Sequence, residues 1–93
     1  MDENRLNTIR LKFINSTNWL NQKMVEYGFS PAVMLTVSQI LREAQAHTLK
    51  TTGCTKEKFD SIFNQPNLYV GEDDLHIFQC YCDYLDNTRK VLL

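Results

Sequence analysis

The sequence predicts an all-α domain, and three observations support this. The 93 residues include only three Gly and two Pro, so few sharp turns are available. Hydrophobic residues make up 43% of the chain, which is typical of a globular protein and argues against disorder. These residues recur at helical spacing in stretches that short polar segments separate. The length suits a single domain over residues 1–93.

The first predicted helix covers about residues 3–14, where Leu6, Ile9 and Phe13 follow helical spacing. The sequence "NSTN" at 15–18 interrupts this pattern, because Asn and Ser compete for backbone hydrogen bonds and favour helix caps. Apolar residues then continue the stripe from residue 19 to residue 27. The sequence leaves open whether this region forms one kinked helix or two helices.

A long central helix is predicted over about residues 31–51. In "YGFSPAV", Gly28 can close the preceding helix, Ser30 can cap the next one, and Pro31 suits the first helical position. Gly53 is the predicted stop. One apolar face of this helix consists of Val33, Val37, Ile40, Leu41, Ala44 and Thr48.

Two further helices are predicted after this point. "TKEKFDSIF" indicates a short helix over about 55–63 with Thr55 as its cap, and the acidic residues 72–74 suit the start of a helix that ends near 88. This last helix is apolar around most of its circumference. A helix of that kind must be covered on most sides, so we expect part of the core to come from another chain, identical or different.

Two stretches resemble the histone fold. "VSQILREAQAHTLKTTG" (37–53) is similar to the second half of a central histone-fold helix, and "LYVGEDDLHIFQCYCDY" (68–84) to the loop and helix that follow. Among histone-fold proteins, the chain resembles the TBP-associated factors of TFIID and SAGA, which also lack the strong positive charge of nucleosomal histones. The resemblance implies a histone-fold-like domain with a long central helix (31–51) and an inserted short helix (55–63). It also implies dimerisation by a handshake of central helices.

The predicted partner interface combines the central helix, the last helix and the aromatic residues around the insertion. Trp19 and Phe29 are assigned to the core instead. The interface residues are Val37, Ile40, Leu41, Ala44, Phe59, Phe63, Tyr69, Leu75, Phe78 and Cys82.

Residues with possible site chemistry have simpler structural interpretations. His76 and Cys80 share a helix face, but "CYC" lacks the spacing of zinc ligands, and the thiols suit small core positions. "EDD" at 72–74 lacks the spaced ligands of a calcium loop. A catalytic Cys–His pair would need an orienting third group, and no nucleophile elbow or phosphate loop is present. We therefore predict no enzymatic activity, no cofactor and no metal.

Charge and segment patterns limit the partners. A net charge of −1 predicts weak or no nucleic-acid binding, because phosphate neutralisation needs an excess of Lys and Arg. No apolar run is long enough for a membrane span, and the polar, acidic start predicts no signal peptide. Three cysteines, an odd number, indicate free thiols in a reducing compartment. An intracellular location is predicted, nuclear if the histone-fold interpretation holds and otherwise cytoplasmic.

Two functions remain open. The first is a non-enzymatic protein–protein interaction subunit that dimerises through a histone-fold-like handshake and builds a larger, transcription-related complex. The second is a small phage or bacterial helical protein that binds or inhibits a host protein, or captures a ligand, as a homo-oligomer. A helix-turn-helix DNA reader is disfavoured, because no helix has the basic, base-reading face that it needs.

Overall fold

The computed structural model describes residues 3–64 and 70–92, and every regular element in these two segments is helical. This confirms the prediction of an all-α chain. None of the described helices combines the length and the apolarity that a membrane span requires. The elements are α1 (Glu3–Glu26), α2 (Pro31–Thr52), α3 (Lys56–Phe63) and α4 (Leu75–Leu92), with a 3-10 turn at Glu72–Asp74 before α4.

α1 is one uninterrupted helix of 24 residues, which decides between the two alternatives that the sequence left open. The Thr17 hydroxyl donates to the carbonyl oxygens of Phe13 (3.0 Å) and Ile14 (3.1 Å). Such bonds to the preceding turn let a polar residue occupy a helix interior. Ser16 faces the protein interior. The polar segment 15–18 therefore does not end the helix.

The turn between α1 and α2 follows the capping chemistry predicted from the sequence. Gly28 has φ +62°, and its N–H donates to the carbonyl of Val25 (3.0 Å), while the N–H of Phe29 donates to Met24 (2.8 Å). This pair of bonds is the Schellman motif that closes many helices. Ser30 then caps α2 by accepting the N–H of Val33 (3.3 Å). The chain reverses within four residues and forms an α1–α2 hairpin.

The other helix ends also follow local capping. Gly53, with φ +71°, donates its N–H to Leu49 (2.9 Å) and ends α2. The Thr55 hydroxyl accepts the N–H of Lys58 (3.1 Å) and starts α3. The predicted limits 31–51 and 55–63 agree with the structure to within one residue. The helix predicted for 72–88 instead begins at Leu75, after the 3-10 turn, and continues to Leu92.

α4 packs against both α1 and α2, which make few contacts with each other. Arg5 donates to the amide oxygen of Gln79 (2.9 Å), and Lys12 lies 3.0 Å from a carboxylate oxygen of Asp83. Arg5 precedes Lys12 on α1, and their partners Gln79 and Asp83 follow the same order on α4, so the two helices run parallel.

The apolar circumference of α4 is covered by the chain's own helices. On the α2 side, the rings of His47 and Tyr84 have centroids 4.9 Å apart. On the α3 side, Phe63 stacks on Phe78 with centroids 5.4 Å apart. Because α1, α2 and α3 all pack on α4, its apolar surface does not require a second chain. Dimerisation itself stays a prediction.

Candidate protein-binding surface

The structure places most of the predicted interface residues inside the chain's own core. Leu41 is the most exposed of them, at 36%, and Tyr69 lies outside the described residues. Their availability to a partner is therefore small, and their assignment as an interface stays a prediction. Ile40 and Phe63 are half-buried, and the buried members are Val37, Ala44, Phe59, Leu75, Phe78 and Cys82.

An aromatic cluster joins α1, α3 and α4 in this core. Phe13 of α1 lies 5.9 Å from Phe78 and 6.0 Å from Phe63 between ring centroids. Phe59 meets Tyr81 edge to face at 5.2 Å. Burial raises the pKa of Tyr81 to about 12, with a smaller contribution from the neighbouring thiol. The cluster holds α3 onto the bundle, which explains why these aromatic residues do not remain free for a partner.

The thiols lie in different environments and form no cluster with His76. Cys82 is fully buried, and this burial raises its pKa. Cys54 and Cys80 are half-buried, and His76 is exposed. Within residues 3–64 and 70–92, no group of three or more His, Cys, Asp or Glu side chains could hold a metal ion.

Asp86 is a buried carboxylate on α4 with two cationic neighbours. Arg89 lies 2.6 Å from one of its oxygens and Lys90 lies 3.1 Å from the other. The hydrogen bond from Arg89 holds the pKa of Asp86 below its usual range, and Lys90 acts in the same direction. Both partners lie within about one turn of the same helix, so this group stabilises the end of α4 locally.

The turn of the α1–α2 hairpin and the helix segments next to it, residues 13–41, are nearly free of charge. The chain contains 10 Lys and Arg and 11 Asp and Glu, yet between Phe13 and Leu41 only Lys23 and Glu26 are charged. These two side chains pair with each other at 3.1 Å. Depletion of charged residues distinguishes the centres of protein interfaces from ordinary surface.

The same hairpin exposes large apolar side chains. Five of them, within eleven residues, are between 46% and 63% exposed, and Leu41 follows on α2 at 36%. Scattered exposed apolar residues are normal, but a concentrated group marks an interaction site. We call this group, together with Leu41, the hairpin surface; its other members are Val25, Tyr27, Phe29, Met34 and Leu35.

A groove opens on the hairpin between the second half of α1 and the first half of α2. Its cavity volume is about 260 Å³. At the edge of this groove, the ammonium group of Lys23 lies 5.8 Å from the centroid of the Trp19 ring. A groove of this size could take one apolar side chain of a partner. The described lining residues are Trp19, Leu20, Lys23, Tyr27, Val33, Thr36, Val37 and Ile40.

Phe29 is held in a backbone conformation that costs free energy. Its φ is +56°, in the left-handed region that L-residues other than Asn and Asp rarely adopt. The assignment of Phe29 to the core is wrong, because 57% of the residue is exposed. The reversal that follows α1 carries it outward. A strained, exposed aromatic residue in a tight turn is more typical of recognition than of packing.

Amide side chains border the hairpin surface on α1. They line an open depression of about 690 Å³ together with Trp19 and Arg89. Amides both donate and accept hydrogen bonds, as the polar rim of a protein interface does. The amide residues of this depression are Asn15, Asn18, Asn21 and Gln22.

Sequence reasoning missed the hairpin surface, although the signal was present. The charge-free run from Phe29 to Leu41 is readable without a structure. Periodicity alone cannot separate Met34 and Leu35 from the buried face of α2, because both faces of its first half are apolar. Comparison of this chain with models of protein families, with curated proteins and with solved structures finds no significant match.

Proposed function

We propose that this chain is a non-enzymatic protein-interaction subunit that docks a protein partner on its hairpin surface. The observation that carries the proposal is that one hairpin combines a depletion of charged residues with exposed large apolar side chains. Burying apolar side chains gives about 25 cal/mol per Å², and no charged group on this surface except the Lys23–Glu26 pair must lose its hydration. Covering this surface with a partner therefore costs little desolvation free energy.

Other classes of partner fit this surface less well. Phosphate backbones and anionic lipid surfaces are bound through clusters of Lys and Arg, whereas residues 13–41 contain one basic side chain. Small-molecule sites usually enclose their ligand in a cleft with a few convergent polar groups. The groove instead lies open along two helices beside exposed aromatic and aliphatic residues. These features favour another protein.

A histone-fold-like handshake is a second candidate. It would pair this chain with a similar one in a transcription-related complex, through crossed central helices. Its support is that α2 has the predicted limits and leaves Leu41 exposed and Ile40 half-buried. A phage or bacterial protein that binds a host protein would use the same exposed residues. The experiment below applies to each of these partners.

Site-specific photo-crosslinking in the native cell tests the proposal. A photoreactive residue replaces Leu35 on the hairpin surface, and the matched control carries it at Leu11 of α1, outside that surface, since these leucines are 57% and 58% exposed. We expect protein adducts of defined mass from position 35 and none from position 11. Equal yields at the two positions, or no protein adduct from position 35, would exclude the hairpin as a docking surface.

A further inference from the structure

We infer that the partner on the hairpin surface is a second copy of this chain, packed through the outward face of α2. This inference rests on the proposed function and names the partner of that site. The face consists of Met34, Leu35, Ser38, Leu41 and Arg42, all exposed in the single chain. We call it the α2 outer face. Three further properties of this face support a self-association.

The spacing of the α2 outer face suits an antiparallel crossing of two identical helices. Leu35 and Leu41 lie three residues before and after Ser38, which is nearly one helical turn in each direction. In an antiparallel pair centred on Ser38, Leu35 of each copy therefore meets Leu41 of the other. The small Ser38 side chain at the centre permits close approach of the two helices.

The charge pattern is compatible with a two-fold axis. In a symmetric dimer the same patch faces itself, so any net charge on the patch faces an identical charge. Residues 27–41 contain no charged side chain, and Lys23 and Glu26 before them already neutralise each other. The one charge on the face, Arg42, meets Met34 of the other copy in an antiparallel pair centred on Ser38. The Arg42 residues of the two copies then lie on the order of 12 Å apart along the helix axis, so repulsion between them is weak.

The exposed area is close to what a specific dimer needs. From their exposed fractions, Met34, Leu35, Leu41 and the adjoining Phe29 present on the order of 350 Å² of apolar surface per copy. Homodimer interfaces are about 65% apolar, so two copies would bury on the order of 1,100 Å² in total. This lies at the lower limit of specific interfaces, and we expect a reversible dimer with a dissociation constant in about the micromolar range.

Each copy keeps a complete core in this arrangement. Phe78, Cys82 and Ala44 are fully buried within one chain, so separation of the copies exposes none of them. The dimer is therefore an association of two folded chains. In an interlocked handshake, by contrast, separation would open the core and the helices would be lost with the dimer.

Light scattering behind a sizing column, with circular dichroism on the same samples, tests this inference. We expect the wild-type mass to rise with concentration from 10.9 kDa towards twice that value. Leu35→Glu should remain at 10.9 kDa with unchanged helical content, because its dissociation constant rises at least about tenfold. Leu11→Glu, matched in exposure but on α1, should dimerise as the wild type does.

A mixing experiment tests the antiparallel pairing itself. Leu35→Glu and Leu41→Lys should each be monomeric alone. In an equimolar mixture they should recover the dimer mass, because the new Glu of one copy meets the new Lys of the other. A mixture that stays monomeric would overturn the pairing.

Three outcomes would overturn self-association through this face. They are a wild-type chain that is monomeric throughout, a Leu35→Glu variant that still dimerises, and a loss of helix that accompanies dissociation. A monomeric wild type that still forms crosslinks from position 35 to a different protein would overturn the second copy but leave the proposed function standing.

Discussion

Phe78→Ala should be the most damaging apolar truncation in α4. Phe78 is fully buried, and its ring packs on Phe63 at 5.4 Å and on Phe13 at 5.9 Å between centroids. Truncating a buried Phe to Ala costs about 3–5 kcal/mol, and the two lost ring contacts favour the upper half of that range. A chain of this length has a total stability of about 5–14 kcal/mol. We therefore expect the variant to lose a third or more of its free energy of unfolding.

Urea unfolding followed by circular dichroism measures this loss. With an m-value of about 1.5 kcal/mol/M, a loss of about 4–5 kcal/mol should lower the midpoint by about 3 M. Phe29→Ala is the matched control when both changes are made in the monomeric Leu35→Glu background, because it removes the same atoms from an exposed position and should shift the midpoint by less than about 0.5 M. If both variants lost the same stability, Phe78 would not belong to the core of the single chain.

Three further predictions concern the helix ends, the thiols and the buried carboxylate. Gly53→Ala should lower the free energy of unfolding, measured in urea, by about 1 kcal/mol. The φ of +71° is unfavourable for alanine, and nothing lies within 4 Å of the added Cβ, so this loss of stability comes from the backbone alone. A neutral result would contradict the left-handed cap. With a thiol reagent at mildly alkaline pH, Cys54 and Cys80 should react in the native protein, whereas Cys82 should react only in denaturant. Burial raises the pKa of the Cys82 thiol and keeps the reagent from its sulfur. Rapid reaction of all three thiols in the native protein would refute the burial of Cys82. Asp86 has a lowered pKa in the folded state, so its contribution to stability is present above the unfolded pKa of about 3.9 and is lost as pH falls through the lower folded value. Asp86→Asn should therefore be less stable than wild type at neutral pH and should lose less stability on acidification. If the urea midpoints of Asp86→Asn and wild type differed by the same amount at every pH, this prediction would be wrong.

The helix ends could be predicted because local chemistry sets them. Ser30, Gly53 and Thr55 act on backbone groups within a few residues, and their side-chain or backbone bonds form as the sequence indicates. The continuity of α1 could not be predicted. Asn and Ser at 15–18 are typical of a helix cap, yet in the structure the helix continues and the Thr17 hydroxyl donates to carbonyls of the preceding turn.

The division between core and interface could not be read from the sequence. Phe59 and Phe63 follow a loop, but a pattern cannot show that α3 folds back onto α1 and α4. Likewise, Val37 and Leu35 are both apolar residues of α2, and only the packing shows that one is buried and the other exposed. The charge-free run was the available signal for the hairpin surface, because a lack of charge marks interfaces without depending on periodicity.

The segregation of charge has a kinetic consequence. All charged side chains except the Lys23–Glu26 pair lie outside residues 13–41, so the hairpin surface exerts little electrostatic attraction on an approaching partner. Encounters should then proceed at the unsteered rate of about 10⁵–10⁶ M⁻¹s⁻¹ and respond little to ionic strength. Apolar contacts weaken on cooling, so the affinity of complexes formed there should also gain less from these contacts in the cold. How long a complex persists, more than how quickly it forms, would decide its affinity.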